Sequence, residues 1–73
     1  MSRPAKHSLT LRGHRTSVSL EPEFWAAFRA LAARRGQGIN DCAATIDAAR
    51  GDTGLGTAIR LEVLRDLQAR ALP

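Results

Sequence analysis

The sequence predicts a small, mostly α-helical protein, with one short N-terminal strand followed by three helices and completed by a second copy of itself. Three observations predict it. Apolar and polar residues alternate near the N-terminus, segments of helical apolar spacing follow, and 73 residues are too few for a large core. A domain of this size buries only about 60% of the surface its unfolded chain exposes, and usually adds a disulfide, a metal or a partner. Cys42 is the only cysteine, so no disulfide forms within the chain. Cys42, His7 and His14 lack zinc-ligand spacing, and no motif points to another cofactor. Association between copies is the remaining route to stability.

Residues 1–7 hold Ser, Arg, Pro and Lys without apolar period and read as a flexible basic arm, leaving residues 8–73 as the domain. Leu9 and Leu11 alternate with Ser8, Thr10 and Arg12, the hint of a strand that Gly13-His14 interrupts. The clearest strand is Arg15 to Leu20. Thr16, Val18 and Leu20 share one face, expected to meet the core, while Arg15, Ser17 and Ser19 share the other. A single strand leaves its backbone N–H and C=O groups without partners. The Leu9–Leu11 segment, as a hairpin, or the identical strand of a second chain would supply them.

Glu21-Pro22-Glu23 ends the strand and starts a helix over about residues 22–35. Proline suits the first helical position and acids suit the helix N-terminus. Phe24, Trp25, Phe28, Leu31 and Ala32 share its apolar face, and Gly36 closes it. A second helix over about 39–49 is capped by Gly38 or Asn40 and buries Ile39, Ala43 and Ile46. Asp41 and Arg50 match its dipole. Gly51-Asp52-Thr53-Gly54 breaks the chain before a third helix over about 55–70. In that helix Ala58, Ile59, Leu61, Val63, Leu64 and Leu67 spread around much of the circumference, which suggests contact on several sides, as in an intertwined dimer. The expected buried face comprises Val18, Leu20, Phe24, Phe28, Leu31, Ile39, Ile46 and most apolar residues of the third helix.

Charge points to a partner. The net charge is +4, and residues 1–15 hold all of the excess, in Arg3, Lys6, Arg12 and Arg15 with no acid. A basic arm on a neutral body suits a polyanion. Other classes are excluded. There is no secretory leader pattern and no apolar run of about 20 residues to span a membrane, so a soluble cytoplasmic protein without membrane partners is expected. Catalysis has no carboxylate pair, metal cluster or nucleophile constellation to support it, and Gly-Asp-Thr-Gly-Leu-Gly lacks the preceding strand of a phosphate loop. His7 and His14 read as solvated or capping residues and Cys42 as a small helix-face residue. Asp47 is a surface acid or pairs with a base across a dimer. Trp25 belongs to the core, or stacks across the dimer.

Arg15 to Leu20, Pro22, the Phe24–Ala32 helix, Gly36, Ile39, Asn40 and the Ala43–Ile46 helix together resemble the ribbon-helix-helix domain of Arc/MetJ-type repressors. More narrowly, Gly13-His14-Arg15-Thr16-Ser17-Val18-Ser19-Leu20-Glu21, then Phe24-Trp25 and Ile46-Asp47, is similar to a bacterial subfamily of short proteins with an extra C-terminal helix, here Leu55–Ala71. The resemblance spans roughly residues 8–70. It implies a homodimer, with higher oligomers on DNA, whose two strands pair antiparallel in the major groove of double-stranded DNA. By that resemblance Arg15, Ser17 and Ser19 read base edges. Gly38, Ile39 and Asn40, at the second helix N-terminus, clamp a phosphate, and Arg3, Lys6 and Arg12 add phosphate contacts. The implied function is a sequence-specific or semi-specific transcription regulator or repressor. The alternative is a dimer that docks a protein partner through Leu55–Ala71.

Overall fold

The computed structural model describes residues 3–71. The elements are β1 (Ala5–Leu11), β2 (His14–Leu20), α1 (Pro22–Arg34), α2 (Ile39–Ala49) and α3 (Leu55–Ala71). β1 and β2 form an antiparallel hairpin in register from Ala5↔Leu20 to Leu11↔His14. Its loop is the two-residue Arg12-Gly13, with φ of 52° and 84°. Positive φ at both positions makes a type I′ turn, whose twist matches that of the flanking strands.

The hairpin decides between the two partners open to β2 and corrects one expectation. β2 finds its partner within its own chain, so an orphan strand no longer motivates a second copy. Ala5, Lys6 and His7, expected in the flexible arm, are strand residues paired with Leu20, Ser19 and Val18. Their polarity hid the alternation. Lys6 points outward, while His7 points inward and stacks on Trp25 with ring centroids 3.8 Å apart and planes 4° from parallel. His7 is therefore half-buried rather than solvated, and Trp25 stacks within its own chain. Met1 and Ser2 of the expected arm lie outside the described residues.

The core lies beneath the hairpin. Leu9, Val18 and Leu20 meet Phe28 and Leu31 of α1, Cys42, Ala43 and Ile46 of α2, and Ile59 and Val63 of α3. Phe24 and Ile39 are only partly buried at its margin. Thr16 points to the same side of the hairpin but stays exposed. It opens on a recess of about 380 Å³ between the hairpin tip, α2 and Leu55. On α3 only Ala58, Ile59 and Val63 are buried, whereas Leu61, Leu64 and Leu67 are 38–47% exposed. Within one chain α1, α2 and β2 cover α3 from one side, so the chain alone does not provide the burial expected of most of its apolar residues.

Local chemistry sets the boundaries. Pro22 opens α1. At its end the Gly36 N–H donates to Ala33 O (3.1 Å) and the Gln37 N–H to Ala32 O (3.0 Å), a Schellman closure with Gly36 at φ 66°. Gly38 is the N-cap of α2, which settles the choice between Gly38 and Asn40. Asp47 pairs with Arg50 at 2.6 Å within the same chain.

Ion pairs fix α3. Arg34 bonds Asp66, and Arg35 bonds Glu62 at 2.7 Å. Near the start of α3, Arg60 Nε donates to Glu21 Oε1 (3.0 Å) and its NH2 donates to Ser19 O (3.0 Å), with the guanidinium 5.8 Å from the Phe24 ring centroid. Close approach helps: a Cβ on Gly56 would stand 3.2 Å from Val18 Cγ2. Such partly exposed pairs are worth about 0–1 kcal/mol each, so they orient α3 more than they stabilise it.

Two outcomes follow for stability. Phe28 is fully buried, so Phe28→Ala should cost about 3–5 kcal/mol through lost transfer energy and a cavity. Urea denaturation should show this as a lowered midpoint; an unchanged midpoint would place Phe28 at the surface. The Glu21 carboxyl is held below its ordinary value by a hydrogen bond from its own backbone N–H and then by Arg60. A depressed folded-state value stabilises the fold above the ordinary carboxylate range, and this contribution is lost as pH falls through the lowered value. Glu21→Gln should therefore be less stable than wild type at neutral pH and lose less stability on acidification. Parallel acid limbs in the two proteins would refute the linkage.

Candidate nucleic-acid interface

A hairpin has two faces, and the register assigns every side chain to one of them. Residues 5, 7, 9 and 11 of β1 and 14, 16, 18 and 20 of β2 point toward the helices. The opposite face carries Lys6, Ser8 and Thr10 beside Ser19, Ser17 and Arg15 respectively. All of these outward residues are exposed, and every one is a hydrogen-bonding or basic side chain. Arg15, Ser17 and Ser19 thus stand together on one surface, and Lys6 joins them. Arg12 adds a guanidinium at the hairpin tip. Arg3, exposed, precedes β1 at the other end. Lys6 and Arg12 are separated by about 20 Å, six residues at about 3.3 Å each.

Ser8 and Thr10 complete this face and were not anticipated as site residues. Their signal was the two-residue Arg12-Gly13 spacer between alternating runs, which mirrors Ser8 and Thr10 onto Ser17 and Arg15.

The hydrogen-bonding phase of the hairpin is equally definite. Residues flanking a two-residue turn form a hydrogen-bonded pair, so His14, Thr16, Val18 and Leu20 direct their backbone groups to β1. Arg15, Ser17 and Ser19 direct theirs to the outer edge of β2. On the outer edge of β1 the Thr10 N–H donates to Asn40 Oδ1 at 3.0 Å. Asn40 therefore spends its side chain on the sheet, and it ties the start of α2 to the hairpin.

Gly38, Ile39 and Asn40 sit at that helix start. The α2 N-cap has no side-chain hydrogen bond, so first-turn N–H groups stand beside the edge of β1. Asp41 is in the same turn, its Oδ2 3.9 Å from where a Gly38 Cβ would lie. The helix start and the outward face are separate surfaces joined by the Thr10–Asn40 bond. Cys42 is fully buried, and burial pushes its thiol pKa up while Arg35 opposes the shift. Among the described residues no group of three or more His, Cys, Asp or Glu could hold a metal ion. No helix among them is long and apolar enough to cross a membrane.

Comparison with known proteins agrees with this architecture. The ribbon-helix-helix domain family matches residues 4–67, which include the hairpin, α1, α2 and most of α3. Neither the curated proteins nor the solved structures contain a match. Domains of this family are generally DNA-binding transcription regulators that act as dimers. A hairpin with one polar and one buried face, two helices closing the core beneath it and a further helix behind them are accounted for by one statement: the chain belongs to the ribbon-helix-helix domain family.

Proposed function

We propose that the protein is a cytoplasmic, dimeric transcription regulator that reads the major groove of double-stranded DNA with the polar face of its hairpin. One observation carries the reading. Every outward position of the hairpin holds a hydrogen-bonding or basic side chain, while Leu9, Val18 and Leu20 bury the face behind it.

The outer edge of β2 supplies the dimer contact, the Ser19 carbonyl using its second lone pair because Arg60 already holds the first. Antiparallel pairing of Arg15, Ser17 and Ser19 with the same residues of a second copy sets Ser17 opposite its counterpart, and Arg15 opposite Ser19. The product is a four-stranded sheet with the two copies of β2 at its centre. Strands lie about 4.8 Å apart, so its outermost axes are about 14 Å apart. The major groove is about 12 Å wide and admits two strands. The central pair therefore enters the groove, and the two copies of β1 lie over its phosphate walls.

Residue roles follow from this placement. Arg15 can pair bidentately with guanine, and Ser17 and Ser19 can donate to or accept from several bases. Lys6 and Arg12, on the outer strand and its tip, neutralise phosphates, as does Arg3. The N–H groups of Gly38, Ile39 and Asn40 are a further phosphate contact, weakened by the carboxylate of Asp41. Occupying a promoter would exclude other proteins from it, which is repression. A second reading rests on the exposed Leu61, Leu64 and Leu67: the dimer would dock a protein partner through α3.

DNA affinity should fall steeply with salt, because each neutralised phosphate releases counterions. Arg15→Ala should lose about 1–3 kcal/mol and relax sequence preference. Lys6→Ala should weaken all sequences alike and flatten the salt slope. Fluorescence titration against duplexes at two salt concentrations measures both effects. Absence of salt-sensitive binding to any duplex would defeat the regulator and favour the α3 docking reading.

The dimer has its own test. The Ser17 N–H is unused within the hairpin, and proline is tolerated where a strand N–H faces outward. Ser17→Pro should therefore fold as a monomer while wild type sediments as a dimer. A folded wild-type monomer at micromolar concentration would overturn the proposed assembly.

A further inference from the structure

A cleft of about 180 Å³ lies between the C-terminal half of α2 and the middle of α3, and no hairpin residue lines it. Its apolar part is formed by Ile46, Ala58 and Leu61, and Arg35, Arg50 and Arg65 bring guanidinium groups to it. Two of these are fixed in place. Arg50 donates through Nε to Asp47 Oδ1 (2.6 Å) and through NH1 to Thr53 O (2.7 Å), and Arg35 donates to Glu62 Oε2 (2.7 Å). Arg65 is held loosely, 3.6 Å from Glu62 and 67% exposed.

The local charge does not balance. Three guanidiniums face the carboxylates of Glu62 and Asp47, which leaves one positive charge over an apolar floor. Guanidinium is suited to bidentate pairing with a carboxylate, and it is more weakly hydrated than an ammonium. The size limits the remainder of the ligand. Pockets for drug-sized molecules run to about 300–1,000 Å³, so this cleft has room for a single ring or a short chain.

We propose that the α2–α3 cleft binds a small monoanion with an apolar body, namely a short aliphatic or aromatic carboxylate. The carboxylate meets Arg65 and the open side of Arg35 or Arg50, and the apolar body lies on Ile46, Ala58 and Leu61. Inorganic phosphate has charge without an apolar body, and a neutral aromatic has the body without charge; neither matches both halves of the cleft. The site stands on the cleft alone and is independent of DNA binding.

The test is a titration of the isotopically labelled full chain, without DNA and at constant ionic strength, followed by amide chemical shifts. The probes are benzoate, benzyl alcohol and inorganic phosphate. Benzoate should give saturable shifts centred on Ala49, Thr53 and Ala58. Benzyl alcohol and phosphate should each bind at least about fivefold more weakly, and Arg65→Gln should weaken benzoate by about tenfold, the loss of one charge-assisted contact. Arg65 lies outside the DNA-contacting set, so its variant should retain wild-type DNA affinity. Non-saturating benzoate shifts, shifts centred elsewhere, equal binding of either control, or indifference to Arg65→Gln would each overturn the proposal.

Discussion

A β-strand satisfies its backbone only through its edges, and each edge of β2 has a distinct assignment. Half of its N–H and C=O groups turn to β1, and the other half turn away. That phase is locked by the two-residue turn. It sends Leu9, Val18 and Leu20 inward together and leaves Lys6, Ser8, Thr10, Arg15, Ser17 and Ser19 outward together. A slip of one residue would exchange the two sets, exposing the apolar residues and burying the bases. The helices reinforce the same register at both margins of the sheet. Asn40 accepts from the outward N–H of Thr10, and Arg60 donates to the outward carbonyl of Ser19.

The helices also divide their work. α1 and α2 supply the bulk of the core with Phe28, Leu31, Cys42, Ala43 and Ile46, and α3 contributes a narrow contact of small and β-branched residues. α3 is also tied by ion pairs to Arg34, Arg35 and, through its own Arg60, to Glu21. This matters for the two surfaces that leave the core. The hairpin is tied to the apolar centre by buried leucine and valine, so its polar face has a packed support behind it. The outer side of α3 keeps Leu61, Leu64 and Leu67 in contact with solvent and borders the cationic cleft.

The order of strand, helix, helix, helix was legible because its punctuation is strong. Pro22 after Glu21, Gly36 after two arginines and the Gly51–Gly54 cluster are local signals that tertiary contacts do not override. The outward set of Arg15, Ser17 and Ser19 was legible from period two alone. β1 was harder to read, because its alternation runs through Lys6 and His7 and its inward histidine is covered by Trp25, a residue distant in sequence. Asn40 was readable as polar and near a helix start. Its service to Thr10 is a long-range contact that no local pattern encodes. α3 was legible in part: apolar residues around a helix announce contacts, but not whether those contacts lie within the chain. Thr16 failed for a related reason, since facing the core side of a sheet does not guarantee something to pack against.

The hairpin tip carries a compromise. Arg12 holds a left-handed backbone conformation, φ 52°, that side chains other than Gly, Asn and Asp rarely adopt. Such a conformation costs on the order of 1–3 kcal/mol in a non-glycine residue. Asparagine at this position would relieve that cost, and type I′ turns strongly favour it. The chain instead places an exposed guanidinium at the hairpin tip. For a domain of this size each kcal/mol corresponds to about 4–8 °C of melting temperature. The most heat-resistant hairpin and the most cationic one are therefore different sequences, and selection for thermostability at this single turn would remove a positive charge from the hairpin tip.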